Sequence, residues 1–371
     1  MTESILAELI AIPSVSAQSN APMIRYAEGL LAPAGWHFRR FAWEDDAGVE
    51  KINLVVSSHV QRDAELALVG HTDTVPADPE WPDAFKLIAR EDQLHGLGAT
   101  DMKGFLASCL ALLARLNPRT LANPLMLVLT ADEEVGCLGA KRLAAESAIA
   151  PRRAIVGEPT LLSPVRAGKG YGLGRVTVRG CEAHSAFPEQ GRSAIIDAAH
   201  LLARLEALAE ELSEERHDEY APPYTTLNVG TISGGRAKNI IPGECEFIVE
   251  FRPVGGVAPE RIRDRIAAAL AEMRAVRPGI DFSFSAARLD PGFDTPPESE
   301  LVAAAAALTG EEPATVSFGT EAPQMAALGA EVVVCGPGDM LRAHRRHEFI
   351  LKSELAACDV FLRELVSRYC G

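Results

Sequence analysis

Little in this chain suits a nucleic acid, a membrane or a disulfide framework. Lys and Arg total 36 against 51 Asp and Glu, and the formal net charge of -15 excludes the basic surface that a phosphate backbone demands. The same charge favours solubility and mildly attracts cationic substrates. No run approaches the roughly 18 apolar residues that a membrane helix needs. There is no CxxC pair. The seven cysteines (Cys109, Cys137, Cys181, Cys245, Cys335, Cys358, Cys370) follow no regular spacing, so reduced, mostly buried thiols are expected. The N-terminal MTESILAELIAIPSVS carries acids where a signal peptide starts basic, which makes a soluble cytoplasmic protein the expectation. Repeats and low-complexity segments are absent.

What is present is ordinary for a soluble enzyme. Hydrophobic residues make up 47% and charged residues 23%. At 371 residues the chain exceeds what one core usually holds, so two domains are expected. Thr2 or Ser4 is positioned to cap a first helix that stops at Pro13. A long helix is predicted from about Met102, burying Phe105, Leu106, Cys109, Leu110 and Leu113 on one face and ending at Asn117-Pro118. Alternating apolar strands and amphipathic helices predict an α/β class with a mostly parallel sheet. From about Gly172 the texture changes. LGRVTVRG, IIDAAHLLARLEALAEEL, TTLNVGTISGG, CEFIVEFRP, PERIRDRIAAALAEM and FSFSAARL read as β-α-β-β-α-β, a small antiparallel sheet with two helices on one face. After LDPGFDTPP the first pattern resumes. The expectation is a discontinuous catalytic domain, 1–171 and 287–371, with a small α+β domain inserted at 172–286.

Five short segments each end in metal-binding side chains. They are LALVGHTD (His71, Asp73), GLGATDMKG (Asp101), LMLVLTADEE (Glu133, Glu134), AIVGEPT (Glu158) and VVVCGPGDMLRAH (His344). Four follow strand-like runs, and parallel α/β sheets form their sites beyond the carboxyl ends of such strands. Asp101 falls at the start of the predicted helix, where terminal N–H groups welcome a carboxylate. Any one of these motifs alone is usually a surface feature. Together they supply two histidines, three carboxylate ligands and one spare carboxylate, about what two divalent metals need to activate a water between them. The reading is a two-metal hydrolase.

The motifs GHTDTVP, DMKG, TADEEVG, GEPT and the terminal AH, with DEEVGCLGA, FGTEAP and CGPGDMLRAH, resemble the M20 metallopeptidase and amidohydrolase family over almost the whole chain. Leu97, where the family often has arginine, and the Arg-Arg-His run after His344 depart from its pattern. The resemblance implies an αβα catalytic domain and a small ferredoxin-like lid that also dimerises. It assigns His71 and Glu158 to one metal, Glu134 and His344 to the other, and Asp101 to the bridge. Asp73 would accept the other N–H of His71 and fix its tautomer. Glu133, not needed as a ligand, becomes the general base. The donor set suits two Zn2+ or Co2+ ions.

The resemblance also reaches beyond the metals. His184, in GCEAHSAFPEQGRSA, would stabilise an oxyanion in the partner subunit's active site. Asn239 and Arg252 match positions that hold a substrate carboxylate, and Lys169, Gly319 and Thr320 match further substrate-binding positions. Glu321 could pair with a cationic substrate ammonium. His347 competes with His344 as a ligand, and the AH…Glu348 frame favours His344. His37, His59, His95, His200 and His217 are expected to do no chemistry, and Cys137 and Cys335 to pack. The implied reaction is deacylation of an N-acyl amino acid, N2-acetyl-L-ornithine first, by a homodimer in arginine biosynthesis. Alternatives are N-acetylcitrulline, succinyl-diaminopimelate or a small peptide as substrate, and a non-catalytic metal-binding scaffold. Retention of Glu133 disfavours the scaffold.

Overall fold

Uninterrupted aliphatic runs become strands covered on both faces. Leu66–His71, Leu125–Thr130 and Arg153–Pro159 are buried along their whole length, as parallel strands between two helical layers must be. The computed structural model describes residues 1–371. It divides into one unit of 1–166, 295–314 and 320–371 and a second of 167–294 and 315–319. The second unit is wider than the 172–286 read from the sequence. The chain enters and leaves it as a paired ribbon, Ala167 opposite Asp294 and Gly168 opposite Phe293.

In the first unit the sheet runs His37–Glu44, Glu50–Ser57, Leu125–Thr130, Leu66–His71, Arg153–Pro159, Glu331–Gly336. The last four are mutually parallel, while the first two form an antiparallel hairpin that also meets Leu125–Thr130 antiparallel. The sheet is thus mixed, with a parallel centre. Leu54, Val56, Leu66, Leu68 and Leu127 face a core shared with helices Thr2–Ala11, Gly104–Leu113 and Lys352–Cys370. Helices Leu138–Ala145 and Ala322–Ala327 pack against Glu50–Ser57 and Glu331–Gly336 respectively. The class is α/β.

Two local expectations fail. Thr2 lies inside the first helix and caps nothing; its hydroxyl donates to Asp359 at 2.7 Å. The long helix begins at Gly104 rather than Met102, because Asp101 (φ -119°) and Met102 (φ -132°) are non-helical. Asp101 therefore does not sit in a helical first turn.

The second unit is an antiparallel sheet ordered Thr226–Gly234, Glu244–Arg252, Tyr171–Arg179, Asp281–Asp290. Along Glu244–Arg252 every second side chain is buried, and Cys245, Phe247, Val249 and Phe251 pack under helices Ala194–Glu214 and Pro259–Val276. The chain order is β-α-β-β-α-β. All seven cysteines are free and only Cys181 is exposed. No helix is long and apolar enough to cross a membrane.

Candidate metal centre

The centre is assembled from strand ends and the loops beyond them. His71 is the last residue of Leu66–His71, Glu158 is the last but one of Arg153–Pro159, and Glu133 and Glu134 follow Leu125–Thr130. Asp101 and His344 arrive on loops. Oδ1 of Asp101 lies 3.0 Å from Nε2 of His71, and Oδ2 lies 3.3 Å from Nε2 of His344. The same His344 nitrogen is 3.1 Å from Oε1 of Glu134. Each carboxylate oxygen of Asp101 thus faces a different imidazole, the disposition of a bridge. His347 points away and packs its ring edge on Trp81, centroids 5.7 Å apart, which leaves His344 as the ligand candidate.

The tautomer of His71 follows from its partner. Nδ1 lies 3.0 Å from the main-chain carbonyl of Asp73, which can only accept, so Nδ1 carries hydrogen and Nε2 is the nitrogen that faces the centre. This corrects the part given to the Asp73 carboxylate, whose nearer oxygen is 3.7 Å from that nitrogen. The carboxylate is committed elsewhere. It accepts the N–H of Glu133 at 3.0 Å, the N–H of Glu134 at 3.2 Å and the Ser16 hydroxyl at 2.7 Å. Asp73 therefore holds the turn that carries the acidic pair.

The residues fit a divalent cation. Ligand atoms of His71, Asp101 and Glu134 all lie within 4.8 Å of one another. Oε1 of buried Glu158 has no hydrogen-bond partner, a costly state for a carboxylate that a cation relieves. Imidazole and carboxylate without thiolate is a borderline-to-hard donor set. Asp132, Cys137 and His344 all adopt left-handed backbone, with φ of 58°, 55° and 57°. Such conformations cost on the order of 1–3 kcal/mol each and gather at functional sites.

Electrostatics agree with the crowding. Burial pushes Glu133 up to about 8, helped by Glu321, Glu134 and Asp101 against the pull of His71. Burial also raises Glu158, and brings Glu321, wholly enclosed, up to about 7. Against burial, hydrogen bonds from His344 and His71 hold Asp101 far below the usual carboxylate range. The hydrogen bonds to Asp101 and Glu134 raise His344 to about 10.

Two supports had no advance reading. Lys51, 1% exposed, donates to Asp132 at 2.8 Å and to the carbonyl of Gln18 at 3.1 Å, anchoring the residue before Glu133. Glu348 is equally enclosed and accepts backbone N–H groups of the Asp101 loop. An AH…E spacing is the one local sign of Glu348, and it says nothing about what the carboxylate touches. Cys137 does more than pack: its single thiol hydrogen faces Oε1 of Glu133 at 3.2 Å, with the carbonyl of Thr320 as a second acceptor at 3.6 Å.

The remaining candidates are in the second unit, apart from Thr320 and Glu321. Lys169 is buried and donates to the carbonyls of Pro222 and Tyr224, each at 2.7 Å. Burial, with the Arg252 charge, pushes its ammonium down to about 8. Arg252 stacks 5.0 Å over the Tyr171 ring and donates to the Ser317 carbonyl at 2.9 Å. His184 pairs with Ile240 in a two-stranded ribbon, and the Ser185 N–H meets the Asn239 carbonyl at 3.0 Å, so His184 and Asn239 are brought together. Nδ1 of exposed His184 accepts the Ala186 N–H at 3.1 Å, which leaves the proton on Nε2. No side chain crowds Gly319.

Comparison with known proteins agrees with this geometry. The sequence profile described as peptidase family M20/M25/M40 matches residues 67–368. An acetylornithine deacetylase of Myxococcus xanthus is 48% identical over 369 residues, covering 99% of this chain and 97% of that protein. Among solved structures, a tripeptidase of Staphylococcus aureus superposes with TM-score 0.79 at 22% identity, covering 99% and 97% of the two chains. A dinuclear metal binding peptidase of the M20 family from Bacillus subtilis gives 0.69 at 13% identity, covering 98% and 96%.

Proposed function

The chain belongs to peptidase family M20/M25/M40, a family of hydrolases, and from that membership we propose that it removes the acetyl group of N2-acetyl-L-ornithine. The observation that carries the reading is Asp101, its two oxygens divided between His71 and His344 at 3.0 and 3.3 Å. In this reading His71 and Glu158 would hold one Zn2+ or Co2+ and Glu134 and His344 the other, and Asp101 would contribute to both. The pair would supply Lewis acidity toward the acetyl carbonyl and the attacking water.

The chain's own groups handle the proton. Glu133 takes a proton from water as its oxygen adds to the acetyl carbon. It returns that proton to the nitrogen as the C–N bond breaks, giving acetic acid and the amine, and the acid then ionises to acetate as the amine takes up a proton. His184, with Nε2–H free to donate, suits a developing oxyanion. Lys169 and Arg252, with Asn239, Gly319 and Thr320, would receive the substrate carboxylate, and a buried lysine that feels a neighbouring arginine is suited to an anion. Glu321 is the carboxylate assigned to the substrate's cationic end.

We further read the working form as a cytoplasmic homodimer with no nucleic-acid or membrane partner, through which His184 serves the other subunit. Support comes from the edge strand Thr226–Gly234, which with Ala194–Glu214 borders a groove of about 590 Å³ lined by Leu202, Leu205, Leu227 and Val229. An open edge beside apolar surface is where a twofold partner adds. Initial rates on acetylornithine, acetylcitrulline and succinyl-diaminopimelate test the substrate. Acetylornithine should be hydrolysed fastest; a faster rate on either of the others reassigns it.

A further inference from the structure

Glu348 follows His344 by four residues and is 2% exposed. Its Oε2 accepts the N–H of Gly98 at 3.0 Å, and its Oε1 accepts those of Thr100 at 2.7 Å and Asp101 at 3.0 Å. The two segments are stitched further on either side. The Gly96 N–H meets the Glu348 carbonyl at 3.1 Å, and the Thr100 hydroxyl donates to the Phe349 carbonyl at 2.6 Å. Strands Gln93–His95 and Phe349–Leu351 then pair antiparallel. A buried carboxylate that accepts three charge-assisted hydrogen bonds from one loop fixes that loop strongly. It does so in the residue next to Asp101 and in Asp101 itself. The loop that carries the bridging carboxylate and the loop that carries His344 are thereby one hydrogen-bonded body.

We propose that Glu348 is a positioning residue that sets Asp101 and His344 against each other, and so governs the affinity of the metal position they share with Glu134. His71 and Glu158 stand on strands Leu66–His71 and Arg153–Pro159, which pair directly in the sheet, and neither is hydrogen-bonded to Glu348. Loss of the Glu348 cradle displaces two ligands of one position but only the shared Asp101 of the other. The two metals should therefore respond unequally. The inference rests on the ligand assignment proposed above.

The test is titration of metal-free protein with Co2+ alone, following heat by calorimetry and metal content after dialysis, for wild type, Glu348→Gln and Glu348→Asp. The glutamine keeps size but turns a donor toward the Gly98 N–H. The aspartate keeps charge but is too short to serve all three N–H groups. Either variant should bind one Co2+ equivalent as wild type does and the second about 10–100-fold more weakly. Two unchanged equivalents would overturn the inference. So would equal weakening of both accompanied by a lower Tm of the metal-free protein, since that is the signature of a purely structural role. Wild-type protein that takes up no Co2+ pair would instead refute the ligand assignment beneath it. Should Glu348→Gln not fold, the Glu348→Asp comparison decides on the same criteria.

Discussion

The Oδ1 of Asp73 accepts the backbone N–H of Glu133 at 3.0 Å, so the residue two places after His71 fixes the turn that carries Glu133 beyond another strand. Asp73→Asn puts an amide donor opposite one of the two N–H groups of that turn. Turnover should fall by about 10–100-fold while metal content is retained. Metal analysis beside kcat separates this from an Asp73 that orients His71, for which metal would be lost together with activity.

Glu133 and Glu134 are adjacent yet differently placed. Glu134 stands 3.1 Å from the His344 Nε2, whereas Glu133 accepts the Cys137 thiol. Glu133→Gln should keep the fold and both metals and lose several orders of magnitude in kcat. Glu134→Gln should weaken one metal by removing a ligand oxygen. Metal stoichiometry of the two variants checks the assignment, which is reversed if Glu133→Gln is the one that loses an ion.

Lys169 gives a pH dependence of known sign. Its ammonium is held down to about 8, so the cationic form that binds a carboxylate is lost as pH rises through that value. KM should climb about tenfold per pH unit above it with little change in kcat. Over the same window the unfolded chain binds more protons than the folded one, so this group's contribution to stability rises with pH. Lys169→Arg, charged throughout, should flatten the KM profile; a profile that is unmoved removes Lys169 from the substrate site.

His184→Ala should lower kcat by about 10²–10³ with metal content unchanged, the usual cost of an oxyanion donor. Mixed with Glu133→Gln subunits, themselves inactive, it should regain about half the normal activity per heterodimer, because one site then holds neither defect. Exchanged subunits that regain nothing place His184 in its own subunit's service or in structure alone.

The grouping of candidate donors was legible because parallel strands deliver their chemistry just past their ends, and LALVGH, LMLVLTADEE and AIVGEP each carry a donor there. The parallel centre of the sheet followed from the same uninterrupted runs. What surrounds the ligands was not legible. Asp101 looked like a helix-start carboxylate, but its own N–H is taken by Glu348, 247 residues away in sequence. Asp73 was credited with the imidazole because the two are neighbours in sequence, yet the main chain of that residue serves His71 and the carboxylate reaches the Glu133 turn. Residue type and spacing reveal which groups can bind a metal. They do not reveal where a buried carboxylate spends its lone pairs, since backbone N–H groups leave no mark on a sequence.

The central claim is a metal-dependent deacetylase, and one titration tests it most directly. Protein stripped of metal by chelation and dialysis is assayed for ornithine release from N2-acetyl-L-ornithine as Zn2+ or Co2+ is added back. The account predicts no activity at zero metal and a rise that levels off at two equivalents per chain. Full activity in rigorously metal-free protein would contradict it.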